Sequence, residues 1–148
     1  SAASKEMQEA KRAVATAAKP LDEGIGIVSS SSVGDRQRLQ HALQNAKEKM
    51  TQQETEALKQ FSARNYAGAQ NTAATLGTGA LNQARSAIAV VATTAEQMGD
   101  EIEKSVPHRR NVGELGVDGG SSDAEAKKKA LPYRALAKKL RELAAGIR

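Results

Sequence analysis

Between Ala69 and Ile102, small and aliphatic residues return every three or four positions without a gap: Ala69, Ala73, Leu76, Ala80, Ala84, Ala87, Val91, Ala95, Met98, Ile102. That spacing holds one helix face against a partner for five heptads. The chain has two tyrosines, one phenylalanine and no tryptophan, so the large rings that usually fill a core are missing. The strand signature of alternating β-branched and aromatic residues is absent as well. A core of Ala, Leu, Val, Ile and Met must pack closely, and Ala, Lys, Arg and Glu all favour helix. The expectation is an all-α fold: an elongated antiparallel bundle of three to four long helices, forming a single domain over residues 1–148.

Four segments carry helical stripes. The first, from about Ser4 to Val28, places Met7, Ala10, Val14, Ala17, Leu21 and Val28 on one face. Proline lacks the N–H donor and crowds the preceding turn, which predicts a kink or break at Lys19-Pro20. The run Ser29–Gly34 reads as a polar turn. The second segment opens near Asp35 as N-cap and buries Leu39, Ala42, Leu43, Ala46, Met50, Leu58 and Phe61, ending in a turn over Arg64–Gly68. The third reaches about Val106, roughly 57 Å if unbroken, and stops at Pro107; Gly77 and Gly79 either weaken it or admit a neighbouring backbone. The fourth opens at Ser122, where Ser122-Asp123-Ala124-Glu125 matches a capping box. Its stripe is Ala126, Ala130, Leu131, Leu136, Leu140, Leu143 and Ile147, with a kink expected at Pro132.

Chemistry-bearing constellations are scarce. Without cysteine there are no disulfides or thiolate metal sites. His41 stands between glutamines and His108 has no second ligand at metal spacing, so no metal is expected. Gly24-x-Gly26 and Gly77-x-Gly79 lack the third glycine and the strand-to-helix context of a nucleotide loop, so no cofactor is expected either. Ser29–Ser32 read as turn serines, and Asp100, Glu101 and Glu103 as a solvated acidic face. The expected role is non-enzymatic. No secretory signal or membrane-spanning run is visible; the longest mainly apolar stretch is Ala87–Ala92.

The charge is unevenly placed. Residues 1–106 are nearly neutral, whereas residues 107–148 hold ten basic against five acidic residues. Candidate docking residues are Arg109, Arg110, Lys127, Lys128, Lys129, Arg134, Lys138, Lys139 and Arg141. A basic helix of this kind suits an acidic protein groove or an anionic membrane surface. Sequence-specific nucleic-acid binding is not expected, because Tyr133 is the tail's only aromatic and no stacking platform exists.

The stretch from Glu96 to Leu143 resembles the C-terminal half of BID domains, the delivery domains of type IV secretion effectors and relaxases. The features are a helix ending at Pro107, the turn Val112-Gly113-Glu114-Leu115-Gly116, a small polar loop, and the helix Ala126-Lys127-Lys128-Lys129-Ala130-Leu131-Pro132 followed by Leu136, Leu140 and Leu143. Val112 stands where the family has an aromatic, and Gly116 falls one position early. The resemblance implies an elongated bundle, with Pro107, Gly113, Leu115, Gly116 and Pro132 shaping the loop and last helix. It also implies a translocation signal read by the acidic surface of the coupling protein. Residence would begin in the bacterial cytoplasm and end in a recipient or host cell, with host proteins as possible further partners. The alternative is a cytoskeletal or membrane adaptor: alanine-rich bundles with a basic last helix also look like talin and vinculin rod modules, which bind actin or acidic lipid. Leu81-x-x-Ala84-x-x-x-Ile88-Ala89 resembles a helix such modules expose to partners.

Overall fold

A computed structural model describes residues 1–105 and 119–147. The described residues form an all-α bundle of four helices: α1 Ala2–Ser30, α2 Arg36–Ser62, α3 Tyr66–Ser105 and α4 Gly119–Ala145. Neighbours along the chain run antiparallel, as their cross-links show. Asp22 of α1 meets Lys47 of α2, Gln60 and Gln53 of α2 meet Thr72 and Gln83 of α3, and Asp100 and Glu96 of α3 meet Arg134 and Arg141 of α4. At 40 residues, α3 is about 60 Å long at 1.5 Å per residue.

The parallel pair α1 and α3 is the axis of the bundle. On α1 the residues Ala3, Ala10, Ala17 and Gly24 are buried at seven-residue intervals; on α3 the buried set includes Ala69, Ala73, Ala80 and Ala84. Small side chains let the two backbones close up: a Cβ on Gly77 would lie 3.8 Å from the backbone of Ala10. Gly77 thus admits a neighbouring backbone, whereas Gly79 faces open space. Larger residues (Leu21, Leu39, Leu43, Met50, Leu76, Ile88, Leu140) fill the remaining core, which draws on all four helices.

The burial pattern along α3 records where α4 lies. Up to Ala84 a single stripe is buried; beyond it Ile88, Val91, Ala92, Ala95 and Gly99 are covered on a wider face. Two consecutive buried positions, Val91 and Ala92, require neighbours on two sides. Among the described residues the lower half is therefore a three-helix bundle and the upper half a four-helix one. Gly99 makes the α3–α4 approach possible, since a Cβ there would stand 3.2 Å from Tyr133 Cβ and 3.5 Å from the Ala130 carbonyl.

Several local expectations are corrected. The break allowed for at Lys19-Pro20 does not occur, α1 running unbroken through Pro20; α4 is likewise continuous through Pro132, where a kink and not a break was expected. In each case the carbonyl deprived of its donor belongs to an exposed residue, Thr16 or Lys128, where water can satisfy it. Asp35 holds the N-cap position of α2 without a side-chain cap bond; its carboxylate lies 3.9 Å from Arg38 instead. The α2–α3 turn is only residues 63–65. The Asn65 amide donates to Gln60 and the Arg64 amide to Phe61, closing α2 in a Schellman motif. Arg64 has φ 64°, a left-handed conformation that glycine adopts more readily. Asn65 Oδ1 then accepts from the Gly68 amide at 3.0 Å and caps α3. The backbone of α4 is already helical at Gly119, three residues before the expected start at Ser122.

Leu58 and Leu131 are 54% and 59% exposed, and Ala42 is exposed too, contrary to their expected places in the core. Ala57 and Ala130 take the buried positions beside the two leucines. Steps of three or four alone do not choose between adjacent apolar residues, and the close interhelical spacing favours the smaller.

Two substitutions test this account by thermal unfolding. Gly24→Val drives a branched side chain toward Leu43 Cδ1, only 3.1 Å from a Cβ position, and toward Leu143 and Ile88. It is expected to destabilise the fold by about 1–3 kcal/mol. Arg64→Gly relieves the left-handed residue and is expected to stabilise by about 0.5–1 kcal/mol; a loss of stability would contradict the Schellman reading.

Candidate functional site

The basic residues of α4 divide into two groups with different surroundings. Arg134 and Arg141 lean onto α3. Arg134 Nη2 sits 3.0 Å from Asp100 and 3.0 Å from Glu103, and Arg141 pairs with Glu96. Hydrogen bonding to Glu103, then to Asp100, raises the Arg134 pKa further, against the opposing effect of burial. Of the acidic face expected over Asp100, Glu101 and Glu103, two residues, Asp100 and Glu103, are thus claimed by α4. These ion pairs are partly exposed, so their energetic weight is modest and salt-sensitive; they flank the buried face of α4, Ala126, Ala130, Leu136, Ala137 and Leu140, which sets its rotation. Tyr133 adds a long-range tie, its hydroxyl accepting from the Gly34 amide at 3.1 Å. At the other end Arg85 Nη2 donates to the Ile147 carbonyl at 2.5 Å.

Lys127, Lys128, Lys138 and Lys139 face outward and are exposed. The first two sit one turn above Leu131 and the second two one turn below Ala135, both of which are exposed. With 100° between successive residues, all four lysines fall within about 80° of Leu131 around the helix. Lys129, exposed as well, turns away. It lines a separate cleft with Ser32, Ile102, Ser105 and Pro132 beside the α1–α2 connection. The three consecutive lysines of the sequence are therefore not one patch.

The expected loop residues Pro107, Val112, Gly113, Glu114, Leu115 and Gly116, with His108, Arg109 and Arg110, lie outside the described residues. Pro132 is in the interior of α4 rather than shaping a loop. Leu81 is partly covered, Ala84 and Ile88 are fully buried, and Ala89 is exposed, so most of that motif packs into the core of the folded bundle. His41 is exposed. Among the described residues no group of His, Cys, Asp or Glu is arranged to hold a metal ion, and no helix is long and apolar enough to cross a membrane.

A second feature escaped the sequence reading. At the three-helix end, Met7, Ala10, Ala57, Leu58 and Phe61 line an apolar cleft of about 360 Å³ between α1 and α2, bordered by Lys11 and Glu54. Phe61 packs edge-on against the half-exposed Tyr66, ring centroids 5.1 Å apart. Only pairing α1 with the far end of α2 creates this cleft, so no local pattern announced it. Burial raises the Glu54 pKa above the usual glutamate value, with Lys11 partly opposing.

No family model, curated protein or solved structure matches the chain.

Two outcomes follow. Glu54 holds its proton more tightly folded than unfolded, so it lowers stability as pH rises through its folded titration range and not below the ordinary glutamate range. Glu54→Gln should therefore raise the melting temperature at neutral pH, with the advantage vanishing in acid; a constant gain at all pH values would exclude this cause. Arg134→Met should lower the melting temperature at low ionic strength and less so in concentrated salt. An effect independent of salt would assign Arg134 a packing role instead.

Proposed function

We propose that the chain is a non-enzymatic recognition module that docks an acidic protein surface through the outward lysines of α4. In this reading a type IV secretion coupling protein recognises the module as a delivery signal, taking it from the bacterial cytoplasm to a recipient cell. The observation that carries the proposal is the placement of Lys127, Lys128, Lys138 and Lys139. They stand on one exposed face of a helix whose opposite face, Ala130, Leu136, Ala137 and Leu140, is buried in the bundle.

Rigid presentation of like charges creates a local field that attracts an oppositely charged surface and orients it on approach. Because Arg134 and Arg141 are engaged with α3, the outward charge on the described residues of α4 is carried by lysine. Lysine is a point charge without the planar fork that reads phosphate or base edges, which favours an acidic protein over nucleic acid. The resemblance of residues 96–143 to delivery domains supports the secretion context.

A translocation assay tests the reading. The chain fused to a reporter enzyme is expected to reach recipient cells through a type IV system. Replacing Lys127, Lys128, Lys138 and Lys139 by Glu should abolish delivery while the helical circular dichroism signal stays unchanged. Delivery by the folded charge-reversed variant would refute the lysine face as the signal. Absence of delivery by the parent chain, together with co-sedimentation on F-actin, would favour the adaptor alternative.

A further inference from the structure

Resting on that reading, we infer that the exposed face of α4 recognises one acidic amphipathic helix in a fixed register: a small apolar centre at Leu131 and Ala135, bracketed by a lysine pair at each end.

The strip follows from the helix geometry. Ala124, Leu131, Ala135 and Glu142 are exposed and lie within about 40° of one another around α4. Lys127 and Lys138 are eleven residues apart, as are Lys128 and Lys139, which is about 16 Å or three turns along the axis. Leu131 is 59% exposed. Ala124 and Ala135, being small, let a second helix approach the backbone on either side of it. One flank of the strip is closed by Glu96, Asp100 and Glu103, partly neutralised by Arg134 and Arg141. A partner's carboxylates are therefore steered to the lysine pairs and away from that edge.

Complementarity specifies the occupant: a helix with acidic pairs about eleven residues apart and one or two apolar residues between them. A lipid surface fits less well. A helix lying in a membrane interface inserts its apolar face, but the apolar face of α4 is already buried against α3, leaving one leucine and two alanines. The strip is one helix wide, well below the roughly 1,000 Å² of a stable complex. The encounter is accordingly transient and weakened by salt.

The test uses the full chain and two stapled helical peptides of identical composition. In one, Glu pairs eleven residues apart bracket a central Leu; in the other, the second Glu pair is moved two residues onto another face. Fluorescence anisotropy at low and physiological salt gives the affinities. Expected are about tenfold tighter binding of the matched peptide and a loss of about tenfold in Leu131→Gln, each equal to some 1.4 kcal/mol. Exchange of Lys138 and Lys139 for Glu should remove binding of the matched peptide. Leu131 is exposed, so Leu131→Gln is expected to fold, as circular dichroism would verify.

Equal affinity for the two peptides with Leu131→Gln silent would overturn the fixed register while leaving a diffuse acidic partner in place. Tighter binding to phosphatidylserine-containing vesicles than to the matched peptide would overturn it in favour of a membrane. Binding of neither peptide would also overturn it, and the translocation assay with the four-lysine reversal then decides separately whether the underlying function stands.

Discussion

The close approach of α1 and α3 is the constraint on which the rest of the bundle depends. Two parallel helices can approach closely along their length only if many of the facing residues are small, and here buried alanines recur on both: Ala3, Ala10 and Ala17 on α1, and Ala69, Ala73, Ala80 and Ala84 on α3. Alanine contributes little area to bury, so each contact is weak. Stability must come from many contacts over a long interface, with no side-chain entropy lost at the alanines themselves. This is why a chain nearly devoid of aromatics builds long helices. The larger aliphatic residues then close the spaces on either side of the pair, with α2 along one and α4 along part of the other.

The partial reach of α4 gives the molecule two unlike halves. Where α4 lies, α3 is covered on a wide face and its carboxylates are claimed by Arg134 and Arg141. Where α4 does not reach, the described residues form three helices and open the apolar cleft around Met7, Leu58 and Phe61. The buried face of α4, Ala130, Leu136, Ala137 and Leu140, also determines what the helix presents outward. With Arg134 and Arg141 paired on the α3 side, Lys127, Lys128, Lys138 and Lys139 stand on the exposed face, around Leu131 and Ala135. Charge that looks uniform in the primary structure is thereby sorted into an internal staple and an external surface.

The helices and their approximate limits were legible in the residue spacing, because a 3.6-residue period leaves a trace whether or not the partner is known. Ala69–Ile102 is the clearest case: α3 occupies that whole stretch. Local chemistry was less reliable at the punctuation. Pro20 and Pro132 interrupt hydrogen bonds without interrupting helices, since the carbonyls they strand belong to exposed residues. Asp35 had the right identity and position for a cap but spends its carboxylate beside Arg38.

The amino-acid sequence by itself determined the fold class, the all-aliphatic core and the excess of positive charge toward the C-terminus, all of which are properties of composition and short-range periodicity. Only the tertiary structure decided which leucines are outside, which basic residues are tied down and how far along α3 the last helix extends. Those outcomes depend on distances between residues far apart in the chain. Arg134 meets Asp100 across 34 positions and Tyr133 meets Gly34 across 99, separations at which no periodicity carries information.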